Sequence, residues 1–239
     1  MNPPFWGTKV LDAIDLDEVV ELIDFEQLFS ARWQYRKGSN AREWEELKEK
    51  RVVPAFERIL SLCRAKGTLE PKAIYGYFRC RQDGNALVVE GGRKPFRFDF
   101  PRERAAPNRC LSDFFPDGFV AIQAATVGGA ASREGASLFA ANSYSDAFLL
   151  KGLAAEAAEA TAAFVFRKIL REMEAPDGAG QRFSPGYPVF PNLFDQRKIA
   201  SLLEITRIGL SLTKTSNLVP EHSTTAIVSI DPKAVIFRP

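Results

Sequence analysis

The chain has 239 residues, 46% of them hydrophobic and 26% charged, which is ordinary for a soluble globular protein and enough to bury a sizeable core in one large domain or two small ones. Lys and Arg number 32 against 30 Asp and Glu, a net charge of +2 that is too slight to mark a nucleic-acid or membrane surface. The three cysteines, Cys63, Cys80 and Cys110, form no Cys-x-x-Cys pair and the one histidine, His222, has no second imidazole beside it, which argues against a zinc or iron–sulfur site.

The first residues, Met1-Asn2-Pro3-Pro4-Phe5-Trp6, are no basic segment ahead of an apolar run, so no signal peptide is expected. No stretch approaches the ~20 apolar residues of a membrane helix. With an odd cysteine number and no disulfide framework, the expected location is the cytoplasm.

Residues 10–66 read as helical, broken by the polar patch Arg36-Lys37-Gly38-Ser39-Asn40. Val19, Leu22, Ile23, Leu28 and Phe29 form a one-sided apolar stripe with Asp24 beside it, where a carboxylate serves as a helix N-cap or a salt-bridged core edge. From Arg42 to Ala65, Trp44, Leu47, Val52, Phe56, Ile59 and Leu60 keep helical spacing; Pro54 predicts a kink or restart and Lys66-Gly67 a stop.

After Pro71 the pattern changes to alternation. Ala73–Cys80 and Ala86–Glu90 flank Gln82-Asp83-Gly84-Asn85, a hairpin signal, and Pro95–Phe100 supplies a third strand. Pro101–Arg109 reads as a loop, Leu111–Pro116 as a short helical turn, and Gly118–Val127 as a strand. Gly128-Gly129 then opens a small-residue segment to Ala141; no Lys-Ser or Lys-Thr follows and the G-x-G-x-x-G spacing is absent, so a nucleotide loop is not supported.

A strong helix runs over Leu149–Met173, with Leu150, Leu153, Ala157, Ala160 and Phe164 on one face and Glu156, Glu159, Arg167 and Arg171 solvating the other. Pro176-Asp177-Gly178-Ala179-Gly180 ends it. Asp195–Ile205 reads as a further helix, and Thr224–Val228 and Ala234–Phe237 as strands completing the sheet. The class is α+β: a single domain, residues 1–239, with a helical portion over 1–70 and a mixed or antiparallel twisted sheet flanked by long helices over 71–239.

Between the last two helices lies Arg182-Phe183-Ser184-Pro185-Gly186-Tyr187-Pro188. Two prolines around a glycine stop a helix and stiffen a tight turn. From the residues alone this is either a connector or a rigid presentation of one arginine and one tyrosine to a small anion. His222 is the only imidazole for a hydrolase, and Pro220-Glu221-His222-Ser223 reads as a polar turn, so no catalytic residue is assigned.

The segment resembles the Arg-Pro-x-Pro-Gly-Tyr-Pro signature of the S-adenosylmethionine-binding activation domain of cobalamin-dependent methionine synthase. Leu202-Leu203-Glu204 with Ile208-Gly209-Leu210-Ser211-Leu212-Thr213 is similar to that family's Glu-Leu-Leu and Ile-Gly-Met-x-Leu-Thr segments, and Pro220 and Ser223 fall at its Pro-x-x-Ser. Lys151–Ala160 resembles its Lys-Ala-Leu-Ala-Asp-x-Leu-Ala-Glu-Ala helix, Ala73–Phe78 its Gly-Val-x-Gly-Leu-Phe strand, Cys110–Phe114 its Cys-Leu-Ala-Asp-Phe, and Ile23–Phe29 with Trp33 its Ile-Asp-Trp-x-Pro-Phe-Phe and following Trp.

The resemblance implies a module that binds S-adenosylmethionine and docks over a cobalamin domain, where an electron from a flavodoxin- or ferredoxin-like donor and the ligand's methyl group restore methylcobalamin. It implies that Arg182 pairs with the ligand carboxylate, that Asp24 takes its amino group or ribose side, and that Ser184, Gly186 and Tyr187 shape the wall. Two family features are replaced: the Tyr-Tyr pair by Val235-Ile236-Phe237, and Gly-Trp-Tyr-Phe by Ala226-Ile227-Val228-Ser229. No cobalamin-binding Asp-x-His-x-x-Gly, folate domain or homocysteine zinc site occurs, so the expectation is a stand-alone activation module whose cobalamin is held by a partner methionine synthase chain. The alternative is a docking or capping partner of a corrinoid protein that has lost the ligand.

Overall fold

The computed structural model describes residues 2–35, 38, 40–92, 94–176, 178–237 and 239. Part of the expected polar break, Arg36, Lys37 and Ser39, lies outside the described residues, as does Asp177 in the expected stop after the long helix.

The sheet is organised around β2 (Lys72–Asp83), whose pattern of β-branched and aromatic residues suits a strand buried on both faces. A two-residue turn at Gly84-Asn85, with Gly84 at φ 60°, returns the chain into β3 (Ala86–Val89), and β4 (Phe96–Asp99) adds the outer edge. On its other side β2 pairs with β5 (Gly118–Thr126), which pairs with β9 (Ser223–Ser229), which pairs with β6 (Gln181–Phe183). Among the described residues every pairing is antiparallel, in the order β4-β3-β2-β5-β9-β6.

The first half of β2 also pairs with β1 (Gly7–Leu11), so the N-terminal portion is not purely helical as expected. β1 lies so close that a Cβ on Gly76 would sit 2.2 Å from the Gly7 carbonyl oxygen, which requires glycine there.

Helical segments then follow the predicted stops and starts. α1 (Leu16–Val20) is capped by Asp15, a π-helical turn spans Gln27–Arg32, and α2 (Ala41–Leu47) leads through a second π turn at Lys48–Val52 into α3 (Val53–Lys66). Pro54 occupies the first turn of α3, where its missing N–H costs nothing, and Gly67 closes the helix in the left-handed conformation at φ 58°.

The small-residue segment after Gly128-Gly129 is α4 (Ala130–Ala140), a helix the sequence did not announce; it is joined to α5 (Tyr144–Glu172), which runs across the sheet. Alanines at 154, 157, 158, 160 and 162 let α5 approach closely enough for Gln123 Nε2 to donate to the Ala162 carbonyl at 2.9 Å. At its far end Tyr75 and Tyr77 donate to the two oxygens of Glu172, at 2.8 and 2.9 Å.

Strand alternation divides the core. Ala73, Tyr75, Tyr77, Ala121 and Val228 face α5, α3 and the N-terminal helices. Ile74, Cys80, Val120, Ile122 and Ile227 face a second core closed by α6 (Gln196–Leu203), the 3-10 turn Leu111–Phe114 and the turn that follows β6. A short ribbon of β7 (Ser211–Leu212) and β8 (Leu218–Val219) precedes β9.

The expected strand over Ala234–Phe237 is absent. Both edges of β9 are already paired, with β5 and β6, so the last segment turns at Asp231–Ala234 and instead buries Phe237 beside Phe114. No helix among the described residues is long and apolar enough to cross a membrane.

Candidate functional site

β6 is the strand that carries the arginine, and it was hidden inside the connector reading because three residues are too few to show a period. Alternation sends Phe183 into the second core, stacked 6.4 Å from Phe114, while Arg182 projects beside α5. There its guanidinium Nη2 lies 3.5 Å from Glu159 Oε2, at the limit of hydrogen-bonding range, with Arg182 a quarter exposed.

The following turn is held by its backbone. Gly186 N–H donates to the Phe190 carbonyl at 2.8 Å and Phe190 N–H to the Tyr187 carbonyl at 2.8 Å. Gly186 sits at φ 95°, a region that favours glycine, and Phe190 is fully buried against Phe98 and Phe100. Tyr187, by contrast, is 63% exposed. The anchored backbone presents an aromatic ring to solvent.

Arg182, Ser184 and Tyr187 line one cleft of about 250 Å³ together with Glu159, Pro188, Val189 and Ile236. Gly186 stands behind this wall, shaping the turn without lining the cleft. Asp24 is not in the cleft: its carboxylate accepts from Gln27 N–H at 2.9 Å, across the helical turn at Phe25-Glu26.

Between the two lies α5. Glu156, expected on a solvated face, is 4% exposed and its Oε2 lies 3.3 Å from Arg32 Nε. Burial raises its carboxyl above the usual range, Arg32 opposes that rise, and the charges of Glu159 and Asp24 add to it. A line of charge thus runs from Asp24 past Arg32 and Glu156 to Glu159 and Arg182. Trp33 fixes the near end by donating to the Leu149 carbonyl at 2.9 Å, over Gly152.

Glu159, read from the sequence as one of a carboxylate pair on a solvated helix face, and Ile236 also line the cleft. The spacing of Glu156 and Glu159, one turn apart on a helix otherwise rich in alanine, was the available signal. His222 is also buried, at 5% exposure, rather than in an open turn; burial lowers its affinity for a proton, and its Nε2 lies 3.6 Å from Glu221. The three thiols are buried and unbridged, and among the described residues no metal-binding group of His, Cys, Asp and Glu is assembled.

Comparison with known proteins shows the family and the fold. Residues 15–238 match the family model described as vitamin B12 dependent methionine synthase, activation domain. The chain is 30% identical to a methionine synthase of Mycobacterium tuberculosis and 28% identical to one of Mycobacterium leprae, in each case across 99% of this chain. It spans 23% of the length of each of those enzymes. A crystal structure of the MetH reactivation domain bound to AdoHcy superposes with a TM-score of 0.82 at 20% identity, covering 100% of this chain and 83% of that one. By the match over nearly its whole length, the chain belongs to the family of vitamin B12-dependent methionine synthase activation domains.

Proposed function

We propose that this chain binds S-adenosylmethionine at the Arg182 cleft and supports reductive methylation of cobalamin held by a methionine synthase cobalamin domain, with an electron from a flavodoxin- or ferredoxin-like donor. The observation that carries the reading is the Arg182–Glu159 pair: one cation and one anion, weakly joined at 3.5 Å, stand side by side in the lining of a cleft. That arrangement complements an amino-acid zwitterion. The AdoHcy held by the structural relative supports a ligand of the S-adenosyl class.

The residues present fit such a ligand in part by size and in part by charge. At about 250 Å³ the cleft falls below the ~300–1,000 Å³ of sites that enclose a small molecule, so it takes the amino-acid end and leaves the nucleoside on the rim at Tyr187 and Ile236. Arg182 turns its planar fork to the carboxylate and Glu159 faces the ligand's positive charge. Ser184 and Tyr187 complete the wall, with Gly186 holding the turn, whereas Asp24, engaged by Gln27 N–H outside the cleft, takes no part in this pose. S-adenosylmethionine supplies a sulfonium methyl group; the chain's own residues bind and orient it, a positioning role that needs no acid or base.

The second reading, a docking partner of a corrinoid protein without the ligand, is favoured by one observation. Ile236, 68% exposed, lines the cleft where the family's tyrosine pair falls. Calorimetry with S-adenosylmethionine and with S-adenosylhomocysteine separates the two: saturable binding is expected, and no heat at millimolar ligand would leave the docking reading in its place.

A further inference from the structure

Outside the cleft, one of the buried polar groups with an unpartnered atom among the described residues is a carboxylate, that of Asp195 at the start of α6. It is 1% exposed, and its Oδ2 is buried without a hydrogen-bond partner among the described residues. Only Oδ1 is engaged: it accepts from Asn192 Nδ2 at 3.0 Å and lies 2.6 Å from Lys198 Nζ. A buried carboxylate with one free oxygen is costly, and such a group persists in a fold where something else depends on it.

Two arms lead from this pair to one place. Along the first, Asn192 closes a 3-10 turn by accepting from Phe194 N–H at 3.2 Å, and Leu193 at its tip comes within 3.5 Å of the position a Cβ would take on Gly186. Along the second, Lys198 donates to the Arg97 carbonyl and lies 5.3 Å from the ring centre of Phe98. Phe98 packs at 6.0 Å on Phe190, whose backbone N–H and C=O clamp Tyr187 and Gly186. Both arms end on the turn that forms the wall of the proposed cleft.

We infer that Asp195 is a positioning residue: paired with Lys198, it sets the Gly186–Tyr187 turn from beneath and thereby tunes ligand affinity at Arg182 without touching the ligand. The inference about affinity rests on the proposed function, whereas the inference about the turn does not. The charged groups that face Asp195 are Lys198 on α6 and Asp99 on β4, Asp99 being held by Arg97. Burial and Asp99 raise the Asp195 carboxyl above the usual range, while Lys198 opposes the rise. As pH falls the carboxylate is neutralised, its hold on Lys198 is lost, and the turn loosens.

The test uses the full chain with Asp195→Asn, Lys198→Met and the double variant. Amide exchange at Gly186 and Phe190, measured on folded protein, is expected to accelerate about tenfold in Asp195→Asn and no further in the double variant, since the two residues act as one unit. The affinity for S-adenosylmethionine is expected to fall by a similar factor, and its decline toward low pH to flatten in Asp195→Asn. A purely structural role would lower the melting temperature without flattening that profile. Unchanged exchange at Gly186 and Phe190 overturns the inference whether or not the ligand binds. Faster exchange with undiminished affinity overturns its link to the cleft. Failure of Arg182→Ala to weaken binding counts against the proposed function alone.

Discussion

Replacing Arg182 by alanine separates the proposed ligand contact from a structural one, because the first is expected in affinity and the second in thermal stability. Among the described residues Arg182 has a single carboxylate partner at 3.5 Å, with side chains 25% and 39% exposed. Such a pair contributes at most about 1 kcal/mol after solvent screening and side-chain entropy. For a chain of this size that shifts the melting temperature by about 2–4 °C. A charged hydrogen bond to the ligand carboxylate contributes about 1.5–3 kcal/mol, so its loss raises Kd about 10- to 150-fold. Titration calorimetry and thermal unfolding on the same samples read both quantities. Arg182→Lys keeps the charge but not the fork, and an intermediate affinity is expected. A Kd within about twofold of wild type would refute the assignment. So would a fall in melting temperature of about 10 °C or more, because the affinity loss would then report a damaged fold.

Other perturbations test the frame around the site. Gly152→Ala places a methyl 2.6 Å from Trp33 Cδ1 and 2.7 Å from its Nε1. Overpacking of about 1–3 kcal/mol and the strained bond to Leu149 exceed the roughly 1 kcal/mol gained in helix propensity, so urea denaturation should show a net loss of about 1–3 kcal/mol; undiminished stability would mean that Trp33 does not lie against α5.

Glu156→Gln tests the buried carboxyl. A group whose pKa is raised in the folded state, here above 4.5, contributes stability that is present below 4.5 and lost as pH rises through the raised value. The difference in unfolding free energy, wild type minus Glu156→Gln, should therefore decline as pH rises above 4.5 and through the raised value, and a pH-independent difference would contradict the burial argument. Burial also pushes the Cys63 thiol up to about 11 and Cys80 up to about 12. Alkylation followed by mass spectrometry at about pH 8 should leave both unmodified until the protein unfolds, and rapid labelling of the native chain would count against their placement.

Much of the architecture was legible because it rests on short-range chemistry. Asp83-Gly84 marked the β2–β3 turn, Lys66-Gly67 the end of α3, Pro54 a helical restart, and the alternation after Pro71 the central strands. Each signal depends on backbone conformations that a few adjacent residues impose. The same holds for Arg182–Pro188, whose glycine and prolines define a rigid turn whatever surrounds it.

The tertiary structure decided what depends on partners distant in the chain. β1 and β6 are strands because β2 and β9 offered free edges, and Ala234–Phe237 is not one because both edges of β9 were taken. Glu156 looked like a solvated helix position, yet Arg32 and the π-helical turn cover it. Glu159 acquires its meaning only once Arg182 is brought across from a strand 23 residues later. The sequence by itself determined the turn and the arginine it carries; only the fold set a carboxylate opposite that arginine, since sheet pairing and burial are settled by contacts that no local pattern encodes.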